Sequence, residues 1–329
     1  MSLARRLGGF ALKLLGPALL LYFLWTTDLA KLWEALVQTD PVLLGISVVL
    51  VIPFLFLKGW RWQLILDAWQ IPISIIDATA LYAVGIFLGI MTPGQAGDAV
   101  KAWYLRQRGQ SLAAGLASVV LDRLFDVGVM GMLAATGLYF FWDVLPGGKA
   151  LNVATVVLML AAVAVGIMIA AVGRLRSWVV QRVVPRALSA RLNPEAVERM
   201  HLRPSRLALI ALVTIAGLSL TFFRIYLLFL ALETEIPIGP FIALVAIVAL
   251  VGTASPGGVG TRDAVMVFVL SSLLAMPQAD AQARAIAIST LFLVLTIANV
   301  VIGYLVSLRY PLVSGAEGIG AEKQSAHTH

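Results

Sequence analysis

Met91-Thr92-Pro93-Gly94-Gln95-Ala96-Gly97-Asp98 and Ala254-Ser255-Pro256-Gly257-Gly258-Val259-Gly260-Thr261 are two copies of one pattern, set 163 residues apart. At the same offset Arg61 matches Arg224, Pro93-Gly94 matches Pro256-Gly257, and Gly97 matches Gly260. Each P-G-x-x-G break interrupts strongly apolar sequence. Pro ends a helix and Gly permits a tight turn and close backbone approach. Inside a membrane such irregular backbone persists only where protein buries it or water reaches it. A repeat whose copies share a helix break therefore points to a transporter core with a cavity that meets both tips.

The surrounding composition supports a membrane setting. Of the 329 residues 60% are hydrophobic and only 12% charged, and the mean hydropathy is +0.96. A soluble domain carries about 25% charged residues. The chain has no cysteine, which excludes disulfides, thiolate metal sites and Cys nucleophiles. Its histidines are His201, His327 and His329, two of them in a polar tail, so no metal site and no cofactor is expected. The net charge of +7 is expected to mark cytoplasmic loops, with no nucleic-acid partner. Arg5, Arg6 and Lys13 precede an apolar run to Trp25, as in a signal peptide, but no small-x-small cleavage site follows. The segment reads as a retained first span.

Apolar runs of crossing length predict full spans at about 10–27, 41–58, 112–141, 151–172, 207–231 and 284–309. The second ends at Lys58-Gly59-Trp60-Arg61-Trp62, which reads as an interfacial anchor. Trp60, Trp62, Trp69, Trp103 and Trp142 are likewise expected at interfaces rather than as a stacking platform. The connector 174–206 holds eight Arg against Glu195 and Glu198 and should be cytoplasmic. Arg5 and Arg6 place the N-terminus on the same side. If 76–91 crossed fully, Lys101, Arg106 and Arg108 would lie outside. They fall inside if 76–108 and 240–275 are hairpins that enter and leave on one face.

The expected fold is thus an all-α polytopic membrane protein. It has six full transmembrane helices plus two re-entrant helical hairpins in an inverted repeat, with a pseudo-two-fold axis in the membrane plane. The membrane domain is expected over 1–311, with repeat one at about 10–142 and repeat two at about 150–310. Residues 312–329 form a polar tail expected to be disordered. Both termini are expected in the cytoplasm, the membrane being a bacterial cytoplasmic (inner) one.

Charges inside apolar spans cost about 2.5–3.5 kcal/mol at a helix centre, so each needs a partner or a task. Asp122 and Asp126 lie four apart beside Arg123 in one long helix and would repel unless a cation lies between them or one is protonated. They fit a proton- or cation-coupling site, or an ion-pair network with Lys101 or Arg61 that locks the hairpin to the helix. Asp98 and Lys101 flank the first tip, where Asp98 is either a coupling group or a helix cap. Arg262 and Asp263 stand at the second tip as a functional group or a local pair. Arg61 reads as a phosphate ligand or a snorkelling interface residue. Arg224 reads as a phosphate ligand or the partner of a carboxylate. Arg61, Lys101, Arg123, Arg224 and Arg262 form the candidate set for a lipid phosphate, since a guanidinium holds phosphate through paired hydrogen bonds. The hairpin-tip set is Pro93, Gly94, Gly97, Pro256, Gly257, Gly258 and Gly260. No Walker, H-E-x-x-H or G-x-S-x-G signature occurs.

Arg61-Trp62, Thr92-Pro93-Gly94-Gln95-Ala96-Gly97-Asp98 with Lys101 and Leu105, Ser118-Val119-Val120-Leu121-Asp122-Arg123-Leu124-Phe125-Asp126, and Ser255-Pro256-Gly257-Gly258-Val259-Gly260 together resemble the lysylphosphatidylglycerol synthase transmembrane region, or flippase-like domain, family. The resemblance covers roughly 10–310. Family members often have Arg after the first Pro and Glu after the later Gly, where this chain has Gly94 and Asp98. The bifunctional synthases add an aminoacyl-transferase domain that this sequence does not show, so the resemblance implies the lipid-moving half alone. The leading expectation is a flippase or secondary transporter of an anionic or sugar-linked lipid working by alternating access, its partners being phosphate-bearing membrane lipids. The alternatives are a membrane glycosyltransferase or other transferase acting on lipid-linked sugars, which would use Asp98, Asp122 and Asp126 as base or metal ligands, and an accessory subunit of envelope lipid assembly.

Overall fold

The computed structural model describes residues 33–34, 37–141, 204–252, 261–274 and 276–310. The spans expected at 10–27 and 151–172, nearly all of the connector, Trp142, the second tip with Pro256, Gly257, Gly258 and Gly260, and the tail lie outside these residues.

Among the described residues every regular element is helical. In chain order these are α1 (Pro41–Val49), α2 (Val51–Ala68), α3 (Ile75–Ile90), a 3₁₀ segment (Pro93–Ala99), α4 (Val100–Gln107), α5 (Leu112–Phe140), α6 (Pro204–Ala231), α7 (Ile238–Gly252), α8 (Thr261–Leu273) and α9 (Gln278–Ser307). Local chemistry sets the starts. Asp40 caps α1 by accepting from the Val42 and Leu43 amides, with Pro41 at the first helical position, where its missing N–H costs nothing. Ser74 caps α3 through the Asp77 amide, and Ser111 caps α5 through the Ala114 amide.

Pro41–Ala68, Ser205–Ala231 and Gln278–Ser307 are each long and apolar enough to cross a membrane, and Ile75–Ile90 and Ile238–Gly252 are shorter apolar helices. α5 has 29 residues, or about 43 Å at 1.5 Å per residue, but it carries Asp122, Arg123 and Asp126 within it.

One end of the bundle is marked by Arg108, which pairs with Asp77 at 3.1 Å, by Tyr310, whose hydroxyl donates to Asp77 at 2.8 Å, and by the Arg206–Asp67 pair at 3.8 Å. The other end is marked by the Asp40 amide, which donates to the Ala231 carbonyl at 2.9 Å, and by Arg284, which donates to the Leu232 carbonyl. The α1–α2 pair, α5, α6 and α9 run between these ends. α3 starts at the Arg108 end, and after Ile90 the chain folds back on it. Gly97 packs on Leu88, and the end of α4 returns to the start of α3 through the Arg108–Asp77 pair. α7 starts at the Arg284 end, where Gly239 meets Phe140. α8 lies along α9 on the N-terminal side of Gly303, through Ser289–Asp263 and Arg262–Thr296. α3 packs on the second half of α9, where Gly303 meets Ala83 and Phe87.

The repeat seen in the P-G-x-x-G motifs extends into backbone detail. α2 ends at Ala68 and α6 at Ala231; α3 begins at Ile75 and α7 at Ile238. Both pairs are 163 apart. So are the two left-handed residues Gln70 (φ 60°) and Glu233 (φ 48°). Each closes its helix with the same two bonds. Ile71 donates to Leu66 at 3.0 Å and Gln70 to Asp67 at 3.1 Å. Thr234 donates to Phe229 at 2.8 Å and Glu233 to Leu230 at 2.9 Å. This is a Schellman closure built without glycine.

One sequence expectation is corrected. Lys58-Gly59-Trp60-Arg61-Trp62 is no interfacial anchor: α2 continues to Ala68, Trp62 is fully buried, and Lys58 and Arg61 are buried as well. The Trp62 indole donates to Ser118 at 3.1 Å. Gly59 permits this packing, because a Cβ there would come within 2.5 Å of the Thr79 backbone. Trp103, by contrast, is exposed, as an interfacial residue would be.

Candidate functional site

Beside the first fold-back α2, α3, α4 and α5 enclose a band of charge. Arg61 lies between the two α5 carboxylates. Its Nε donates to Asp122 at 2.8 Å, and its Nη1 and Nη2 donate to Asp126 at 2.5 and 2.9 Å. Lys58 adds a contact to Asp126 at 2.5 Å, Lys101 reaches Asp122 at 3.4 Å, and the Tyr82 hydroxyl donates to Asp122 at 2.9 Å. The repulsion expected of a carboxylate pair one turn apart is thus resolved by an intervening cation. Arg61 does not snorkel; it is 1% exposed.

Asp98 continues the band toward the tip. One of its carboxylate oxygens accepts from Lys101 at 3.0 Å and from Arg123 at 2.9 Å. The other is buried and has no hydrogen-bond partner among the described residues. Gly85 leaves room for it, since a Cβ there would overlap that oxygen. Asp98 is not a cap: α4 starts after Ala99 with no side-chain bond to its first amides. Arg123 also donates to the Gln95 side-chain oxygen. Gln95 itself has φ 57°, a left-handed conformation rare outside Gly.

Gln95 connects this band to a cavity of about 210 Å³. The first fold-back contributes Gly89, Ile90, Thr92 and Gln95 to its wall. α6 contributes Thr221 and Ile225. The end of α7, Arg262 of α8, and Phe292 and Thr296 of α9 close the opposite side. Arg262 is held by Asp263 at 3.1 Å and donates to Thr296 at 3.1 Å.

The five candidate cations therefore divide. Arg61, Lys101 and Arg123 sit in one network with Asp98, Asp122 and Asp126. Arg262 lines the cavity. Arg224 turns instead toward α1 and α2. Its Nε donates to the Ser47 carbonyl at 2.9 Å while the Ser47 hydroxyl donates to the Arg224 carbonyl at 2.7 Å. Its guanidinium lies 5.3 Å from the Phe54 ring centre, and Nη2 has no hydrogen-bond partner among the described residues. The repeat gives a physical reason. At the 163-residue offset Asp122 and Asp126 correspond to Ala285 and Ser289, so the second copy keeps the arginine and lacks both carboxylates. Of the tip residues, Gly97 packs on the Leu88 backbone, and its amide donates to Thr92 at 2.7 Å.

Tyr82, Gln95, Thr92, Thr221 and Thr296 are site residues that sequence reading passed over. A hydroxyl or amide in an apolar helix is common enough that only its neighbours mark it.

An UPF0104 membrane protein of Methanothermobacter thermautotrophicus is 24% identical over 283 residues, covering 77% of this chain and 82% of that protein. A second UPF0104 membrane protein, from Pyrococcus horikoshii, is 25% identical over 122 residues, 36% of each chain. With residues 9–309 matching it, the chain belongs to the lysylphosphatidylglycerol synthase transmembrane region family.

Proposed function

We propose that this chain is a flippase or secondary transporter that carries the headgroup of a phosphate-bearing lipid across a bacterial cytoplasmic membrane while the acyl chains stay in the bilayer. The observation that carries this reading is the cavity walled by both halves, the first fold-back on one side and the α7–α8 region on the other. In this reading each pair is a re-entrant hairpin, the two enter from opposite faces, and rocking one half against the other exposes the cavity alternately. The Arg108 end, which also carries Arg106 and Arg206, faces the cytoplasm, as do both termini.

The cavity wall supports an anionic cargo: the one charged side chain among its described residues is a cation, Arg262, held by Asp263 at 3.1 Å, and a guanidinium holds a phosphate through paired hydrogen bonds. Asp98, Asp122 and Asp126 are all engaged by cations, which favours transport over a general-base role for them. Asp98, with one unpartnered oxygen, is the carboxylate to which we assign coupling.

The test is reconstitution into liposomes with fluorescent phospholipids and a membrane-impermeant quencher. The wild-type protein should equilibrate label between leaflets. Arg262→Ala should slow this by about tenfold or more, since a hydrogen bond to a charged group contributes about 1.5–3 kcal/mol. Wild-type vesicles no faster than protein-free ones, or transfer of a sugar to a polyprenyl phosphate by the purified protein, would contradict the proposal.

A further inference from the structure

The cations of the charge band are not held equally. The side chains of Lys58, Arg61 and Lys101 are 8%, 1% and 0% exposed, whereas that of Arg123 is 28% exposed. Arg123 also adjoins the cavity. Besides Asp98 it donates to the Gln95 side-chain oxygen, and Gln95 is part of the cavity wall. Met130, seven residues on and therefore on the same stripe of α5, is part of that wall too.

The carboxylates differ in a matching way. Asp122 is bonded through both oxygens, by Arg61 on one and by Tyr82 and Lys101 on the other. Asp126 is bonded through both by Lys58 and Arg61. Asp98 uses a single oxygen, which accepts from Arg123 at 2.9 Å and from Lys101 at 3.0 Å. Its other oxygen, set against Gly85, has no partner among the described residues. Lys101 is shared with Asp122 at 3.4 Å. The remaining charged and titratable neighbours, Lys58 and Arg61 of α2 and Tyr82 of α3, bond Asp122 and Asp126 and not Asp98. Without Arg123, Asp98 would keep only a share of one lysine. A buried carboxylate so placed is far costlier ionised than neutral.

We infer that the co-substrate of this protein is a proton, taken up at Asp98 when the phosphate of a cargo lipid draws Arg123 away from it. Arg123 passes between two anions. With Asp98 ionised, its guanidinium ties the 3₁₀ segment to α5. With cargo present, the guanidinium turns to the phosphate and a proton from water settles on Asp98. One negative charge and one proton enter together, so the buried charge of the site does not change. The sign follows. A proton on Asp98 releases Arg123, so cargo binds more tightly as pH falls, and by reciprocity binding takes up a proton. The inference rests on the transport reading for its cargo, but its test is a binding measurement that does not require transport.

The probe is dioctanoyl phosphatidylglycerol, a short-chain lipid whose phosphodiester stays ionised near neutral pH. It is titrated calorimetrically into the purified full chain in buffers of different ionisation enthalpy. The wild type should take up about one proton per lipid bound, and its affinity should rise by up to about tenfold per pH unit between about pH 8 and 6. Exchanging potassium for sodium should change neither. Asp98→Asn should bind with no proton uptake and no pH dependence, and Asp98→Glu should restore both. Arg123→Gln gives a second route: with the guanidinium gone Asp98 is already neutral, so uptake should vanish there too. Lipid binding by the wild type without proton uptake, uptake that persists in Asp98→Asn or Arg123→Gln, or binding that requires sodium would overturn the inference. No binding at any pH would overturn it together with the transport reading. Proton-linked binding without leaflet exchange in liposomes would overturn the transport reading and leave this inference standing.

Discussion

Replacing Arg61 with Ala is expected to cost about 3–5 kcal/mol of stability, the range for removing one partner of a buried ion pair. Arg61 is 1% exposed and is the group that separates Asp122 from Asp126. Without it the two carboxylates face each other one turn apart, in apolar surroundings, with only Lys58, Lys101 and Tyr82 left to hold them. The check is the unfolding midpoint of the detergent-solubilised protein. Arg61→Lys should lose less, because it keeps the charge and loses the fork that spans both carboxylates. Asp126→Asn in the Arg61→Ala background should recover part of the loss, since the two changes act on one network. If Arg61→Ala shifts stability by less than about 1 kcal/mol, the charge band does not lock α2 to α5.

Gly97→Ala should come next in size, at about 3 kcal/mol, the upper part of the range for overpacking. A Cβ at Gly97 would land on the Leu88 carbonyl and within 2.9 Å of the Gly89 nitrogen. Both are backbone atoms of α3, so no side chain can swing aside. The Leu88 carbonyl also accepts from Thr92, which in turn accepts from the Gly97 amide. Opening the fold-back would therefore break its closing bonds as well. Gly89→Ala is the control. A Cβ there meets the Gln95 side chain at 3.6 Å, an ordinary contact, and Ala in a helix is favoured over Gly by up to about 1 kcal/mol. It should leave thermal stability unchanged or slightly raised. A Gly97→Ala protein as stable as Gly89→Ala would mean that the close packing of the 3₁₀ segment on α3 is not what holds the tip.

The helices were largely legible in sequence because apolar run length and Pro/Gly punctuation are local signals. The long helix expected at 112–141 is α5, and the stretch 240–275, expected to hold a helix pair, contains most of α7 and all of α8. The stop of α2 was not legible. Its left-handed residue is Gln70, and the equivalent residue after α6 is Glu233, neither of which announces a helix end as glycine does. For the same reason Lys58-Gly59-Trp60-Arg61-Trp62 reads as the end of a span although it lies inside one. Its carboxylate partners are more than sixty residues away, and composition alone favours an interface.

At the site, the spacing of Asp122 and Asp126 called for either a cation between them or a proton on one of them, and only the packing of α2 on α5 shows that Arg61 lies there. Arg262 was legible from its place after the second tip. The divergent role of Arg224 was not, because it depends on Ala285 and Ser289 lacking the carboxylates that their counterparts have, a difference that matters only once the helices are packed.

The opposed entry of the two helix pairs is tested most directly by labelling single cysteines with a membrane-impermeant maleimide in sealed vesicles of known orientation. The chain has no cysteine of its own, so each introduced thiol reports alone. Pro72→Cys and Gln110→Cys flank the first pair; Glu235→Cys and Ala279→Cys flank the second. The account predicts that 72 and 110 label together from the cytoplasmic face and that 235 and 279 label together from the opposite face. Labelling of 72 and 110 from opposite faces would contradict it.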